Sequence, residues 1–166
     1  GQNFLIDERA YESIVAACCL GPGDAAVEIG SGLGTLTSCL LATGARVVAI
    51  ERERDMCAVL RTELGEQPGF TLREENALLV DYEALGRELG PRIVIVGNLP
   101  YQIASPLLFR FLAARAVVRR IVIMLQREVA DRLLAQPGSE DYSALAAQVQ
   151  IVAREIGRAS CRERVS

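Results

Sequence analysis

What most constrains this chain is a repeated pattern. Short, continuously apolar runs alternate with amphipathic stretches of helical length. The runs Ala25–Ile29, 46–50, 70–73, 93–96 and 120–125 read as strands, the third of them weak. Their apolar residues are consecutive rather than alternating, which is the pattern of strands buried on both faces. Helical periodicity covers 8–20, 35–42, Arg54–Leu64, 81–89, 127–135 and 142–150, and Ser105-Pro106 is expected to open a further helix. Glycine and proline close most of them, as at Gly21-Pro22-Gly23, Gly44, Gly65, Gly90-Pro91 and Pro137-Gly138. Such an alternation calls for a parallel sheet with helices on both faces. Right-handed crossovers make it a doubly wound α/β fold, with its ligand site at the carboxyl ends of the strands. At 166 residues the chain fits one such domain.

Two absences narrow the chemistry. The chain has no histidine and no lysine, so all 18 basic residues are arginine. That removes imidazole acid–base catalysis, Schiff-base chemistry and the lysine of a phosphate-binding loop. The five cysteines, Cys18, Cys19, Cys39, Cys57 and Cys161, show no C-x-x-C spacing. No metal site is therefore expected. Cys18, Cys39 and Cys57 sit in apolar surroundings and read as small core residues. No run approaches the roughly 20 apolar residues of a membrane span, and no secretory signal pattern is present. Reduced thiols in a cytoplasm, and a monomer, are the expectation. The net charge of −3 argues against a general nucleic-acid binder. Yet Arg110, Arg115, Arg119, Arg120, Arg127 and Arg132 cluster late in the chain, which fits a solvated helix face or a basic patch equally well.

Three motifs carry chemistry. In the first, Val27-Glu28-Ile29 runs into Gly30-Ser31-Gly32-Leu33-Gly34-Thr35. A strand that ends in glycines before a helix lets backbone N–H groups approach a ligand. The third glycine comes one residue earlier than in the dinucleotide fingerprint, which favours a nucleoside cofactor without a pyrophosphate. The second is Glu51, twenty-one residues after Gly30 and at the tip of the next strand. An acid there can accept hydrogen bonds from ribose hydroxyls. The third is Asn98-Leu99-Pro100-Tyr101, read as a loop directly after a buried strand. The exocyclic amine of adenine or cytosine is a poor nucleophile, because its lone pair is delocalised into the ring. The Asn98 amide oxygen and the Leu99 carbonyl could both accept from that amine and free its lone pair, while Tyr101 stacks on a flipped base.

With Gly1-Gln2-Asn3-Phe4-Leu5, Ser105-Pro106-Leu107 and Leu125-Gln126-Arg127-Glu128-Val129-Ala130 added, the chain resembles the ribosomal RNA adenine dimethyltransferases. Its bacterial small-subunit branch is the nearer match, rather than the Erm resistance methylases. The resemblance runs from residue 1 to about residue 153. It implies a Rossmann-like S-adenosylmethionine-dependent methyltransferase fold. It also implies methyl transfer to the exocyclic N6 amines of two adjacent adenosines in small-subunit rRNA. The partner would be the immature small ribosomal subunit. Carried over by position, Asn3, Leu5, Gly30, Glu51, Asn76 and Asn98 fall on cofactor-binding positions. Asn98, Leu99, Pro100 and Tyr101 fall on the catalytic motif.

The chain departs from the family pattern in places. Residue 76 is Asn where the family has the Asp that receives the cofactor's adenine amine, so weakened cofactor binding is expected. The family pattern also has basic residues ahead of position 1 and, beyond the 142–150 segment, further strands, a second aromatic and a small helical domain, all of which are expected to be absent from this chain. The catalytic domain is expected to span 1–154. Residues 155–166 lack apolar periodicity and read like the translation of a sequencing adapter, so a non-native tail is expected there. A non-catalytic RNA- or protein-binding module on the same fold is the alternative. An NAD oxidoreductase shares Glu51 but lacks the glycine spacing and a proton-transfer group.

Overall fold

The computed structural model describes residues 8–90 and 92–153. Each apolar run forms a strand: β1 (Ala25–Ile29), β2 (Arg46–Glu51), β3 (Phe70–Glu74), β4 (Ile93–Asn98) and β5 (Val118–Met124). The helices among the described residues are α1 (Glu8–Cys18), α2 (Thr35–Leu41), α3 (Arg54–Leu64), α4 (Tyr82–Leu89), α5 (Tyr101–Ala113), α6 (Arg127–Leu134) and α7 (Ala144–Val152). The strands pair in parallel in the order β3-β2-β1-β4-β5. The chain builds outward from β1 to β3, then returns across β1 to add β4 and β5. The winding therefore reverses between β1 and β4, and a crevice opens there at the carboxyl ends.

The two faces of the sheet are covered separately. Val27, Ile29, Ile93 and Ile95 pack with Leu85 of α4 and with Leu107 and Phe111 of α5. Ala26, Val47, Val94 and Val96 pack with Ile14 and Cys18 of α1 and with Leu36 and Leu40 of α2. Successive strand residues point to opposite faces, so a continuously apolar strand serves both layers. Tyr82 sets its ring edge-on to Phe111, with centroids 4.9 Å apart, and donates its hydroxyl to the Ala77 carbonyl at 2.9 Å.

Three expectations are corrected. Asn98 is the last residue of β4 and Tyr101 the first of α5, so the expected loop shrinks to Leu99 and Pro100. Register with Met124 holds Asn98 in the sheet, and the Pro100 carbonyl already accepts from Ile103 and Ala104. Pro106 lies inside α5 rather than opening it, because the helix starts at that Pro100 cap. The late arginines divide: Arg127 and Arg132 lie exposed on α6, as a solvated helix face would, whereas Arg110, Arg119 and Arg120 are bound to backbone carbonyls. Arg119 and Arg120 stand on β5 and donate to the Cys19 and Ala17 carbonyls at the end of α1, at 3.1 and 2.8 Å. Those carbonyls have no partner within the helix, and a cation suits that end of its dipole. Arg110 similarly donates to the Val80 carbonyl at 2.6 Å.

Gly34 shows why the third glycine arrives early. Its φ is +84°, and a Cβ there would lie 2.8 Å from Leu60 Cδ2 and 2.9 Å from Leu64 Cδ1. Both leucines are buried on α3. The residue therefore serves a tight junction between α2 and α3. Gly34→Ala should cost about 2 kcal/mol or more, from left-handed strain and overpacking together. Urea denaturation measures it, and an unchanged midpoint would contradict this packing role.

Candidate active site

The expected site residues that the structure describes lie at the carboxyl ends of neighbouring strands. Gly30 follows β1 with a φ of +71°, and its N–H donates to the Ile50 carbonyl at 2.9 Å, tying the turn to β2. A Cβ on Gly30 would meet nothing within 4 Å, so space opens beside the turn. On the other side of β1, Gly97 pairs with Ile29, and a Cβ there would lie 2.6 Å from the Ile29 carbonyl. β4 can approach β1 this closely only with glycine at that place. Sequence reading passed over Gly97, although a glycine between an apolar run and Asn98 was visible.

Glu51 ends β2 and is only 4% exposed. Its Oε2 accepts the Gly32 N–H at 2.9 Å, and its Oε1 accepts the N–H groups of Arg52 and Glu53 at 2.8 and 3.0 Å. A carboxylate has about four lone-pair positions. One therefore stays open on Oε2 while the turn keeps this form. The Glu51 carbonyl accepts the Glu75 N–H at 3.0 Å, which brings the end of β3 alongside. Asn76 follows, half-buried. Its Oδ1 accepts the Leu78 N–H at 3.0 Å and its carbonyl accepts the Leu79 N–H at 2.8 Å, so it shapes its own turn.

Asn98 lies exposed at the tip of β4, beside the β1 turn in the strand order. The Leu99 N–H donates to the Met124 carbonyl at 3.2 Å, and the Leu99 side chain is buried. Pro100 caps α5 and Tyr101 begins it. Asn3 and Leu5 lie outside the described residues.

Glu28 was read only as part of the strand motif, yet it is one of the most unusual residues here. It is 2% exposed, and Thr37 donates its hydroxyl to Glu28 Oε2 at 2.6 Å. Burial pushes the Glu28 carboxyl up to about 7, the Thr37 and Ser31 hydroxyls pull the other way, and the Glu51 charge adds to the rise. The signal was a single charge inside a five-residue apolar strand.

A doubly wound sheet with a glycine turn after β1 and an acid at the tip of β2 defines a class of α/β proteins. They hold a nucleoside cofactor over the strand ends. Within that class, the chain belongs to the family described as ribosomal RNA adenine dimethylase, whose profile matches residues 1–155. It is 48% identical over 158 residues to the ribosomal RNA small subunit methyltransferase A of Anaeromyxobacter sp. (strain K), covering 90% of this chain and 55% of that protein. The protein of the same name from Myxococcus xanthus (strain DK1622) is 49% identical over 145 residues, covering 87% and 50%. The chain thus spans about half the length of these curated relatives. Among solved structures, a dimethyladenosine transferase from Plasmodium falciparum superposes with a TM-score of 0.75 at 29% identity, covering 90% of this chain and 52% of that one. The 23S rRNA methyltransferase ErmE shares the fold with a TM-score of 0.71 at 24% identity, covering 89% and 57%.

Glu28 has a consequence for stability. An acid raised from 4.5 to about 7 in the folded state binds its proton more tightly there than in the unfolded chain. Its contribution is thus greatest below pH 4.5, falls as pH rises towards 7 and stays low above that. The full swing is of order 3 kcal/mol. Glu28→Gln should therefore stabilise the chain relative to the parent more at pH 8 than at pH 5. Thermal unfolding at the two pH values checks this, and an equal difference at both would contradict a buried, titrating carboxyl.

Proposed function

We propose that this chain is the catalytic portion of a cytoplasmic S-adenosylmethionine-dependent dimethyltransferase. Its substrate would be the N6 amines of two adjacent adenosines in the rRNA of an immature small ribosomal subunit. The observation that carries the reading is the convergence of the Gly30 turn, Glu51 and Asn98 on adjacent strand ends, in a chain of this family. Residues 1–154 form the catalytic domain in this reading, and residues 155–166 lie outside it.

The residues fit the cofactor. Gly30 offers open space, Glu51 keeps an acceptor position, and Asn76 Oδ1 has a second lone pair beyond the one used by Leu78. Asn3, Leu5, Gly30, Glu51, Asn76 and Asn98 would hold it. S-adenosylmethionine, when bound, supplies an activated methyl group for direct displacement. The chain's own part is positioning and polarisation. Asn98 and the Leu99 carbonyl accept from the target amine and free its lone pair. Pro100 fixes the turn between them and α5. Tyr101 stacks on the flipped base. No step requires a histidine or a lysine.

A second reading, a non-catalytic RNA-binding or ribosome-assembly module, draws on one observation. Asn76 stands without charge and its oxygen already accepts from Leu78. Transfer of tritiated methyl groups to immature small subunits, by a chain extended to the relatives' length, separates the two.

For cofactor binding, Glu51→Gln should cost about 1–3 kcal/mol, the scale of a lost charged hydrogen bond. Asn76→Asp should strengthen binding by restoring a charged acceptor. Calorimetric titration reads both, and equal affinity in the Gln variant would remove Glu51 from the site. For catalysis, Asn98→Ala in the extended chain should lower methyl transfer by about 10²-fold or more. Tyr101→Ala should remove a stacking platform worth about 1–3 kcal/mol, whereas Tyr101→Phe should keep most of the activity. A Phe variant as inactive as the Ala variant would give the hydroxyl a chemical role and contradict stacking.

A further inference from the structure

The segment that joins β3 to α4 carries Asn76, and its backbone lies outside both strand and helix. A buried carbonyl in such a segment has no ladder partner and needs one from elsewhere. Two side chains supply it. Tyr82, the first residue of α4, is 2% exposed and donates its hydroxyl to the Ala77 carbonyl at 2.9 Å. Arg110 reaches across from α5 and donates to the Val80 carbonyl at 2.6 Å. Ala77 and Val80 are themselves buried, whereas Leu79 between them is 78% exposed. The segment is thus anchored at both ends of a short outward turn. The Tyr82 ring is fixed in its turn, edge-on to Phe111, the residue after Arg110 on α5.

Asn76 stands directly before the first anchor. Its Oδ1 accepts the Leu78 N–H at 3.0 Å and its carbonyl accepts the Leu79 N–H at 2.8 Å. An asparagine amide has two unlike ends, an accepting oxygen and a donating NH2. A carboxylate in that place would accept at either end. The Leu78 N–H therefore decides which way round the Asn76 amide stands. It does so only while the 77–80 backbone stays where the two anchors hold it. Turning the amide over in the anchored segment would set Nδ2 against the Leu78 N–H, donor against donor.

We propose that Tyr82 and Arg110 are positioning residues for adenine recognition. By holding the Ala77 and Val80 carbonyls they keep the Asn76 amide in its accepting orientation, with the second lone pair of Oδ1 left for the exocyclic amine of the cofactor's adenine. The chain thereby selects adenine over hypoxanthine, which has a carbonyl oxygen in place of that amine. This rests on the cofactor reading given above. A site built to accept from an amine disfavours an analogue that presents a second acceptor, because two oxygens then face each other unpaired. With either anchor removed the segment loosens, the amide turns over, and its NH2 donates to the hypoxanthine oxygen. The preference then narrows from both sides.

The test is calorimetric titration of the 166-residue chain with S-adenosylhomocysteine and with its deaminated analogue, S-inosylhomocysteine. The parent should prefer the adenine compound by about tenfold or more. Tyr82→Phe keeps the ring against Phe111 and removes only the hydroxyl. Arg110→Met keeps an unbranched stem at an exposed position and removes the donors. Each should narrow the preference by about fivefold, the scale of one lost hydrogen bond. The Arg110 variant keeps the test open if the buried Tyr82 variant does not fold. Asn76→Asp puts acceptors at both ends, so in that background neither change should narrow the preference. Variants that weaken both compounds alike and keep the parent's preference would mean a merely structural role and overturn the proposal. So would a preference that narrows equally in the Asn76→Asp background. Equal binding of the two compounds by the parent would overturn it too, while leaving the cofactor reading in place. No binding of S-adenosylhomocysteine by the parent would overturn the cofactor reading itself, and this inference with it.

Discussion

The molecule depends on the complete burial of β1. This strand pairs with β2 on one side and β4 on the other, and helices cover both of its faces. All five of its residues are buried. That burial fixes the register of the neighbours, and the register brings the ends of four parallel strands to one edge. Ile29 lies opposite both Ile50 and Gly97, so the residues that follow each of them, Gly30, Glu51 and Asn98, are brought to the same end. The site is thus a by-product of core packing. The apolar strands decide where the polar groups stand, and the short turns need only decide which way those groups point.

Two carboxylates at this edge solve different problems. Glu51 lies at the tip of its strand and gathers three backbone N–H groups, which compensate its burial and shape the glycine turn. Glu28 lies one residue short of its strand's end and has a hydroxyl in place of those amides. Desolvation therefore dominates at Glu28. The arginines play a similar dual part elsewhere. Arg119 and Arg120 carry positive charge on β5 but spend hydrogen bonds on the carbonyls of α1, which fastens that helix across the sheet. A charge count alone could not separate this bracing from a docking patch.

Much of the fold was legible in the sequence, because continuous apolar runs have few other uses in a chain this size. β1 and α3 fall where the pattern put them, and α4 starts one residue later than the pattern suggests because Asp81 caps it through the Ala84 N–H at 2.9 Å. What escaped was tertiary. Pro106 looks like a first-turn residue, yet the cap at Pro100 starts the helix earlier. Asn98 looks like a loop residue, yet pairing with β5 extends the strand through it. At the site, the residue types and their order were readable. The engagement of Glu51 with Gly32, the self-made turn of Asn76 and the buried pairing of Glu28 with Thr37 were not, since each joins residues that only the folded chain brings into contact.

The central claim is that the adjoining ends of β1, β2 and β4 hold the adenosyl cofactor. A crystal structure of this chain with S-adenosylhomocysteine tests it most directly. The expected result is density for the ribose at Glu51, for the adenine beside Asn76 and for the homocysteine end along the Gly30 turn. Density for the nucleoside anywhere else, such as the cavity of about 350 Å³ lined by Arg46 and Arg92 at the opposite end of the strands, would contradict it.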